Sequence, residues 1–244
     1  MWDNLALIHA RTDVPREQRR LTHLYHRSPL APPINPVAWG EFHGFLAHFP
    51  DLGPLDRWRF TRQMRALAGG PPQSTVTRAM AQPNLIIHPS VPWEKVTPMG
   101  ERVHVAASDG ARAFDFLILG SGYGARLDLC GEFTPHLGSI ALWGDVFKPP
   151  EGEKDIGLLQ SCYLGPHFEM QEKRAGCAPW LGAVFNFSRG ANLSMGAMSI
   201  GLSGIKFGIP RLVQGVTKHL FVSDKAAYLE GLKTWHRSGD VIEL

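Results

Sequence analysis

The chain has 244 residues, 44% of them hydrophobic and 19% charged, with a net charge of +3. That length allows one large domain or two modest ones; the composition excludes disordered and collagen-like classes, and the spread of the basic residues gives no support to a nucleic-acid surface. Cys130, Cys162 and Cys177 form no C-x-x-C, and the longest apolar run, Phe116 to Leu119, is far too short to span a membrane, so a reducing, cytoplasmic setting with no disulfide framework or membrane partner is expected.

Residues 1–20 place Arg11, Arg16, Arg19 and Arg20 around Pro15 with little periodicity, which predicts a solvated arm. "LTHLYH" (Leu21 to His26) reads as a short strand, stopped at Arg27-Ser28-Pro29 because proline cannot donate to a sheet. "APPINPVAWGEFHGFLAHFPDLG" predicts a helix with Asn35 as N-cap, Pro36 at the first helical position, and an apolar face of Trp39, Phe42, Phe45, Leu46 and Phe49 that ends at Pro50. Leu55, Trp58, Met64 and Leu67 mark a second amphipathic helix closed by Gly69-Gly70-Pro71-Pro72, and its four arginines, Arg57, Arg59, Arg62 and Arg65, read as a solvated face.

From Asn84 the period changes. "LIIH", "WEKVT", "RVHVAA" and "AFDFLILG" are short strands separated by turn signals, among them the hairpin dipeptide Asp109-Gly110, and they predict a small β-meander feeding a buried strand. After residue 130 glycines and prolines break any long helix. "LGAVFNFS" (Leu181 to Ser188) is read as a strand, followed by a helix from about Pro210 to Phe221 and a last one from about Asp224 to His236 with Ser223 as N-cap.

Within "FDFLILGSGYGARLDL", Gly120-Ser121-Gly122-Tyr123-Gly124-Ala125 fits the G-x-G-x-x-[GA] dinucleotide fingerprint. A working fingerprint needs a strand before it, an amphipathic helix after it and an acid about 20 residues on. The strand is expected, but Arg126 to Cys130 runs into Gly131 and leaves no room for the helix. The glycines instead let the backbone turn or approach something closely, a flat ligand or a neighbouring segment.

"FDFLILGSGY" resembles the strand and A-T-G-[FY] motif of flavin-dependent, NADPH-using monooxygenases, the group with two dinucleotide-binding domains. "PPINPVAWGEFHGFLAHFPDL", "LWGDVFKPPEGE", "CYLGPHFEMQEKRAGCAPWLGAVFNF" and "LSMGAMSIGLSGIKFGIPRLVQG" are similar to further landmarks of the group, in order, over about residues 22 to 235. The resemblance implies an α/β chain with an incomplete FAD/NAD(P)-binding, Rossmann-like (ββα) fold, a helical segment and a small β-meander. The implied organisation is an arm over 1–20, part of the NAD(P)-binding domain over 21–113, and the latter part of the FAD-binding domain over 114–244.

The same resemblance puts Gly120, Ser121 and Gly122 near the cofactors without making them the pyrophosphate loop. It gives Arg27, at the end of the "LYHR" strand, to the adenosine 2′-phosphate of NADP, with His26 where relatives carry a second arginine. Asn186, Ser194, Gly196, Ser203 and Gly204 are implied to line the flavin pocket. The implied reaction is hydride transfer from NADPH to FAD and then oxygen activation, acting on a small organic molecule. The two glycine loops of the family are not found before residue 114, so the chain is expected to be truncated, and to be inactive alone, completed by a separate N-terminal piece, or assembled as a homo-oligomer.

Two other classes compete. "AMSIG" nearly fits the G-x-S-x-G elbow of serine hydrolases, with Ser199 as nucleophile and Asp224 and His236 following it. A non-catalytic interaction protein would keep the fold and use the basic segment of residues 11 to 27 against an acidic partner. No metal is expected: His23 and His26, three apart on a strand, face opposite ways, and His43 and His48 do not have H-x-x-x-H spacing.

Overall fold

The computed structural model describes residues 2–9, 13–15, 18–26, 29–30, 36–67, 73–120 and 127–235. The chain divides into two units, residues 1–39 with 64–123 and residues 40–63 with 124–244, a partition that differs from the expected cut at residue 113. Among the described residues no helix is long and apolar enough to cross a membrane.

The first unit is built on a parallel strand pair, β1 (Thr22–His26) and β2 (Leu85–Pro89), in register from Thr22 opposite Leu85 to His26 opposite Pro89. Parallel neighbours need a long crossover, which the intervening helical stretch provides. Side chains alternate across the pair. Leu24, Leu85 and Ile87 pack on Ala79 of α5 (Gln73–Met80) and on Leu5 of α1 (Trp2–His9). The first residues are therefore not the solvated arm that their arginines suggested, because Leu5 and His9, four apart on α1, are both buried.

β3 (Trp93–Met99), β4 (Arg102–Ala107) and β5 (Gly110–Phe114) form the antiparallel meander, with Asp109 and Gly110 at the second hairpin as the dipeptide predicts. Gly110 has φ of 120°, a conformation that L side chains rarely adopt. The buried strand expected over "AFDFLILG" stops at Phe114. Residues 116–120 have no regular structure, and Phe116, Ile118 and Leu119 are 69%, 57% and 72% exposed. A buried strand needs neighbours on both edges, and among the described residues this run has none.

In the second unit the aromatic helix is broken in two. α2 (Pro36–Trp39) belongs to the first unit, whereas α3 (His43–His48) and a 3-10 turn over Phe49–Asp51 belong to the second and bury Phe45, Leu46 and Phe49. α4 (Pro54–Ala66) buries Trp58 and Thr61. Residues 127–200 then run as 3-10 turns and short helices, among them α6 (Trp143–Val146), α7 (Ile156–Leu159) and α8 (Asn192–Met195), held by isolated bridges such as Leu164 to Met170 and Glu169 to Phe185. Ile140, Cys162, Phe168, Met170, Leu181, Met195 and Met198 make the main core, and Trp58, Trp143, Leu158 and Leu193 a second one.

The strand expected over "LGAVFNFS" is instead a 3-10 turn over Pro179–Ala183 and a single bridge at Phe185. α9 (Leu202–Ser223) starts a full two turns before the expected Pro210, which lies inside it. Proline usually opens a helix, but here the turn before it is seated by Gly204 and Gly208 on the backbone of Ala197 and Met198, where a Cβ would clash. α10 (Lys225–Thr234) follows, with Asp224 and not Ser223 at its cap.

Candidate functional site

Residues 186–204 carry most of the positions expected to face a flavin, and their geometry divides them. Ser194 is fully buried and acts as a hydrogen-bond hub. Its Oγ accepts from the Trp143 indole Nε1 at 2.9 Å and from the Leu164 amide at 3.1 Å, and donates to the Cys162 carbonyl at 3.0 Å. That uses its one donor and both its lone pairs. Arg57 of α4 donates to the Ser194 carbonyl at 3.1 Å and lies over the Trp143 ring, 5.0 Å from its centroid. Burial holds this guanidinium below its ordinary range, and the nearby Tyr163 hydroxyl opposes that effect.

Gly196 has φ of 65°, and a Cβ there would sit 2.8 Å from Cγ of Phe49. Gly204 packs directly on the Ala197 carbonyl. Both glycines therefore serve close approach of protein to protein. Two positions offer polar groups nearer the surface. Asn186 Oδ1 accepts from Ser188 Oγ at 2.6 Å, and Ser203, in the first turn of α9, donates to Glu41 Oε1 at 3.2 Å. A carboxylate at that helix start already complements the positive end of the dipole, the place where a phosphate would go.

The structure thus brings Ser194, Gly196, Ser203 and Gly204 into one turn region, as fixed packing plus one surface hydroxyl, and these residues form no phosphate cradle. Gly120 is exposed at the end of the 116–120 run. Arg27, Ser121 and Gly122 lie outside the described residues. Ser199 Oγ donates to the Ser188 carbonyl at 2.8 Å, with no imidazole on it among the described residues, and His236 is not described.

Two constellations were not anticipated. One is the Arg57–Trp143–Ser194 cluster, since the sequence places Arg57 on a solvated helix face and nothing in it pairs this residue with residue 194. The other is in the first unit, where His23 Nδ1 lies 2.8 Å from His88 Nε2, and His88 Nδ1 lies 2.7 Å from Asp109 Oδ2. The period-2 pattern of "THLYH" puts His23 and Tyr25 on one face, but only the register reveals His88 beside them.

The fold is that of flavin monooxygenases. An ornithine hydroxylase of Pseudomonas aeruginosa matches 81% of this chain with a TM-score of 0.50 at 13% identity, and the chain covers 45% of it. An L-lysine 6-monooxygenase of Pseudomonas syringae matches 87% of the chain with a TM-score of 0.50 at 14% identity, and 50% of that protein is covered. At such identities the likeness is one of fold.

Sequence carries the relationship further. The chain is 30% identical over 207 residues to a FAD-dependent urate hydroxylase of Xanthomonas campestris pv. campestris, which takes in 85% of this chain and 44% of that protein. No family model matches. Homology and fold together make this a partial flavin-monooxygenase-family chain. It spans about half the length of the curated relative that it matches.

Proposed function

We propose that this chain supplies part of an FAD-dependent monooxygenase in which NADPH reduces the flavin and the reduced flavin activates oxygen toward a small organic substrate. The observation that carries the reading is the 30% identity over 207 residues to a FAD-dependent urate hydroxylase; by that homology the substrate class is an oxidised purine. In this reading Arg27 meets the 2′-phosphate of NADP, and Gly120, Ser121 and Gly122 pass close to the cofactors. Asn186 and Ser203 offer polar groups to the flavin side, while Ser194, Gly196 and Gly204 fix the turn that presents them.

The pyrophosphates need glycine loops, and in this reading a separate loop-bearing segment supplies them. The exposure of Phe116, Ile118 and Leu119 supports this, because an apolar extended run is stabilised by adding neighbouring strands. The test is to purify the chain alone and after co-expression with a segment carrying both loops, and to read bound flavin by its absorbance. Flavin retained only by the co-expressed pair is the expected result. Colourless protein from both preparations would count against the proposal.

A further inference from the structure

The His23, His88 and Asp109 chain includes none of the residues assigned to the cofactors. Tyr25 and His88 are register partners on the parallel pair and stack 4.3 Å apart at 5°. His23, two residues earlier on the same face, stacks on His88 at 5.1 Å. The meander closes over this face: Phe114 meets His23 and Tyr25 edge-on, and Trp93 meets Tyr25 edge-on. Arg112 of β5 donates to Asp109 Oδ1 at 2.9 Å and to the Tyr25 hydroxyl at 3.1 Å. The titratable and charged groups facing the two imidazoles are thus Tyr25 from β1, Asp109 from the β4–β5 turn and Arg112 from β5.

Hydrogen-bond chemistry limits how many protons this chain can hold. A carboxylate only accepts, so His88 Nδ1 carries a hydrogen. The 2.8 Å between His88 Nε2 and His23 Nδ1 admits one hydrogen, whichever ring owns it. Only His23 Nε2 is left to gain a proton. Without it both rings are neutral; with it the pair shares one positive charge. A second positive charge would set N–H against N–H, with Arg112 adding its own charge nearby.

We propose that His23, His88 and Asp109 form a one-proton latch that holds β1 and β2 beneath the meander, and that the His23 ring leaves the stack when a second imidazolium forms. The direction of the His23 titration agrees: burial first, then the charges of His88 and Arg112, hold it below 6.5, with Asp109 opposing. An imidazole with a depressed folded value is protonated more readily in the open state. Its contribution is therefore complete above the ordinary value, declines as pH falls below it, and is spent below the depressed one.

The test uses the full chain with nitrogen-15-labelled histidine. The His23 ring is expected to titrate below the ordinary histidine value. Amide protection of Thr22–His26 and Leu85–Pro89, corrected for intrinsic exchange, should fall roughly tenfold for each pH unit below the ordinary histidine value until His23 is fully protonated. His23→Gln can still donate to His88 but cannot titrate, so its protection should hold steady across that range. Titration of His23 at the ordinary value, unchanged protection in the wild type, or the same loss in His23→Gln would each overturn the latch. If His23→Gln does not fold, the wild-type titration and exchange decide.

Discussion

Trp143 and Ser194, 51 residues apart and both fully buried, are joined by an indole-to-hydroxyl hydrogen bond of 2.9 Å. The same hydroxyl satisfies the Leu164 amide and the Cys162 carbonyl, so it ties α6 and α8 to the chain between them. Ser194→Ala removes all three bonds at once and strands two buried donors. The expected loss is about 2–4 kcal/mol, read as a lower urea midpoint with an unchanged slope. A loss under about 0.5 kcal/mol would mean that water replaces the hydroxyl.

Gly196 and Gly152 separate steric clash from backbone strain. Both have positive φ, 65° and 77°, but a Cβ at Gly196 meets the Phe49 ring whereas nothing lies within 4 Å of one at Gly152. Gly152→Ala should cost about 1 kcal/mol, the strain alone. Gly196→Ala adds the displacement of a buried phenylalanine and should cost about 3 kcal/mol or more. Thermal melts of the two variants check the difference, and equal losses would show that Phe49 gives way freely.

Trp58 and Arg59, neighbours on α4, should respond very differently to substitution. Trp58 is fully buried and its indole donates to the Glu153 carbonyl at 3.1 Å; Arg59 forks onto the Glu153 carboxylate at 2.9–3.1 Å but is half exposed. Trp58→Ala should cost about 3–5 kcal/mol through lost burial. Arg59→Ala removes only a solvent-screened pair, and an essentially unchanged midpoint is expected by chemical denaturation.

These contrasts mark what could be read from the residues. The alternation in "THLYH" and "LIIH" and the Asp109-Gly110 turn are local signals, and β1, β2 and the meander follow them. "AFDFLILG" and "LGAVFNFS" fail for a shared reason: apolar β-rich composition proposes a strand, but a strand forms only where a neighbour lends its backbone groups. Along 116–120 no described neighbour does, and 181–188 gains one bridge. Helix α9 overrides the proline rule because tertiary packing at Gly204 and Gly208 outweighs a local penalty. The site was less legible than the fold. Ser194 and Gly204 lie in one turn region, but sequence does not tell a flavin contact from an internal hydrogen bond or a close backbone approach. Arg57 and His88 depend on long-range pairing that no spacing encodes.

Thiol chemistry offers a check on the second unit's core. Cys162 is buried, and desolvation pushes its thiol up to about 11, with the Asn186 side chain opposing the shift; Cys130 and Cys177 are exposed. At pH 8 an alkylating reagent should modify Cys130 and Cys177 in the native chain while Cys162 reacts only on unfolding. Peptide mass spectrometry over a time course reads this directly. Native labelling of Cys162 at a rate matching the other two would mean that this core opens readily.

The exposed run at Phe116 yields the last prediction. Its ring lies beneath the Arg20 guanidinium, 5.0 Å away, an exposed contact worth about 0.5–1 kcal/mol. Ile118 and Leu119, both mostly exposed, extend the apolar surface. Ile118→Lys should therefore leave the melting temperature of the isolated chain within about 2 °C, since little burial is lost. It should at the same time reduce concentration-dependent association, measured by light scattering, because a charge on an unpaired extended run opposes strand addition. Under the proposed function it should also weaken capture of the loop-bearing segment in co-expression. A variant that melts much lower, with association unchanged, would show that residue 118 is packed within its own unit and that the surface lies elsewhere.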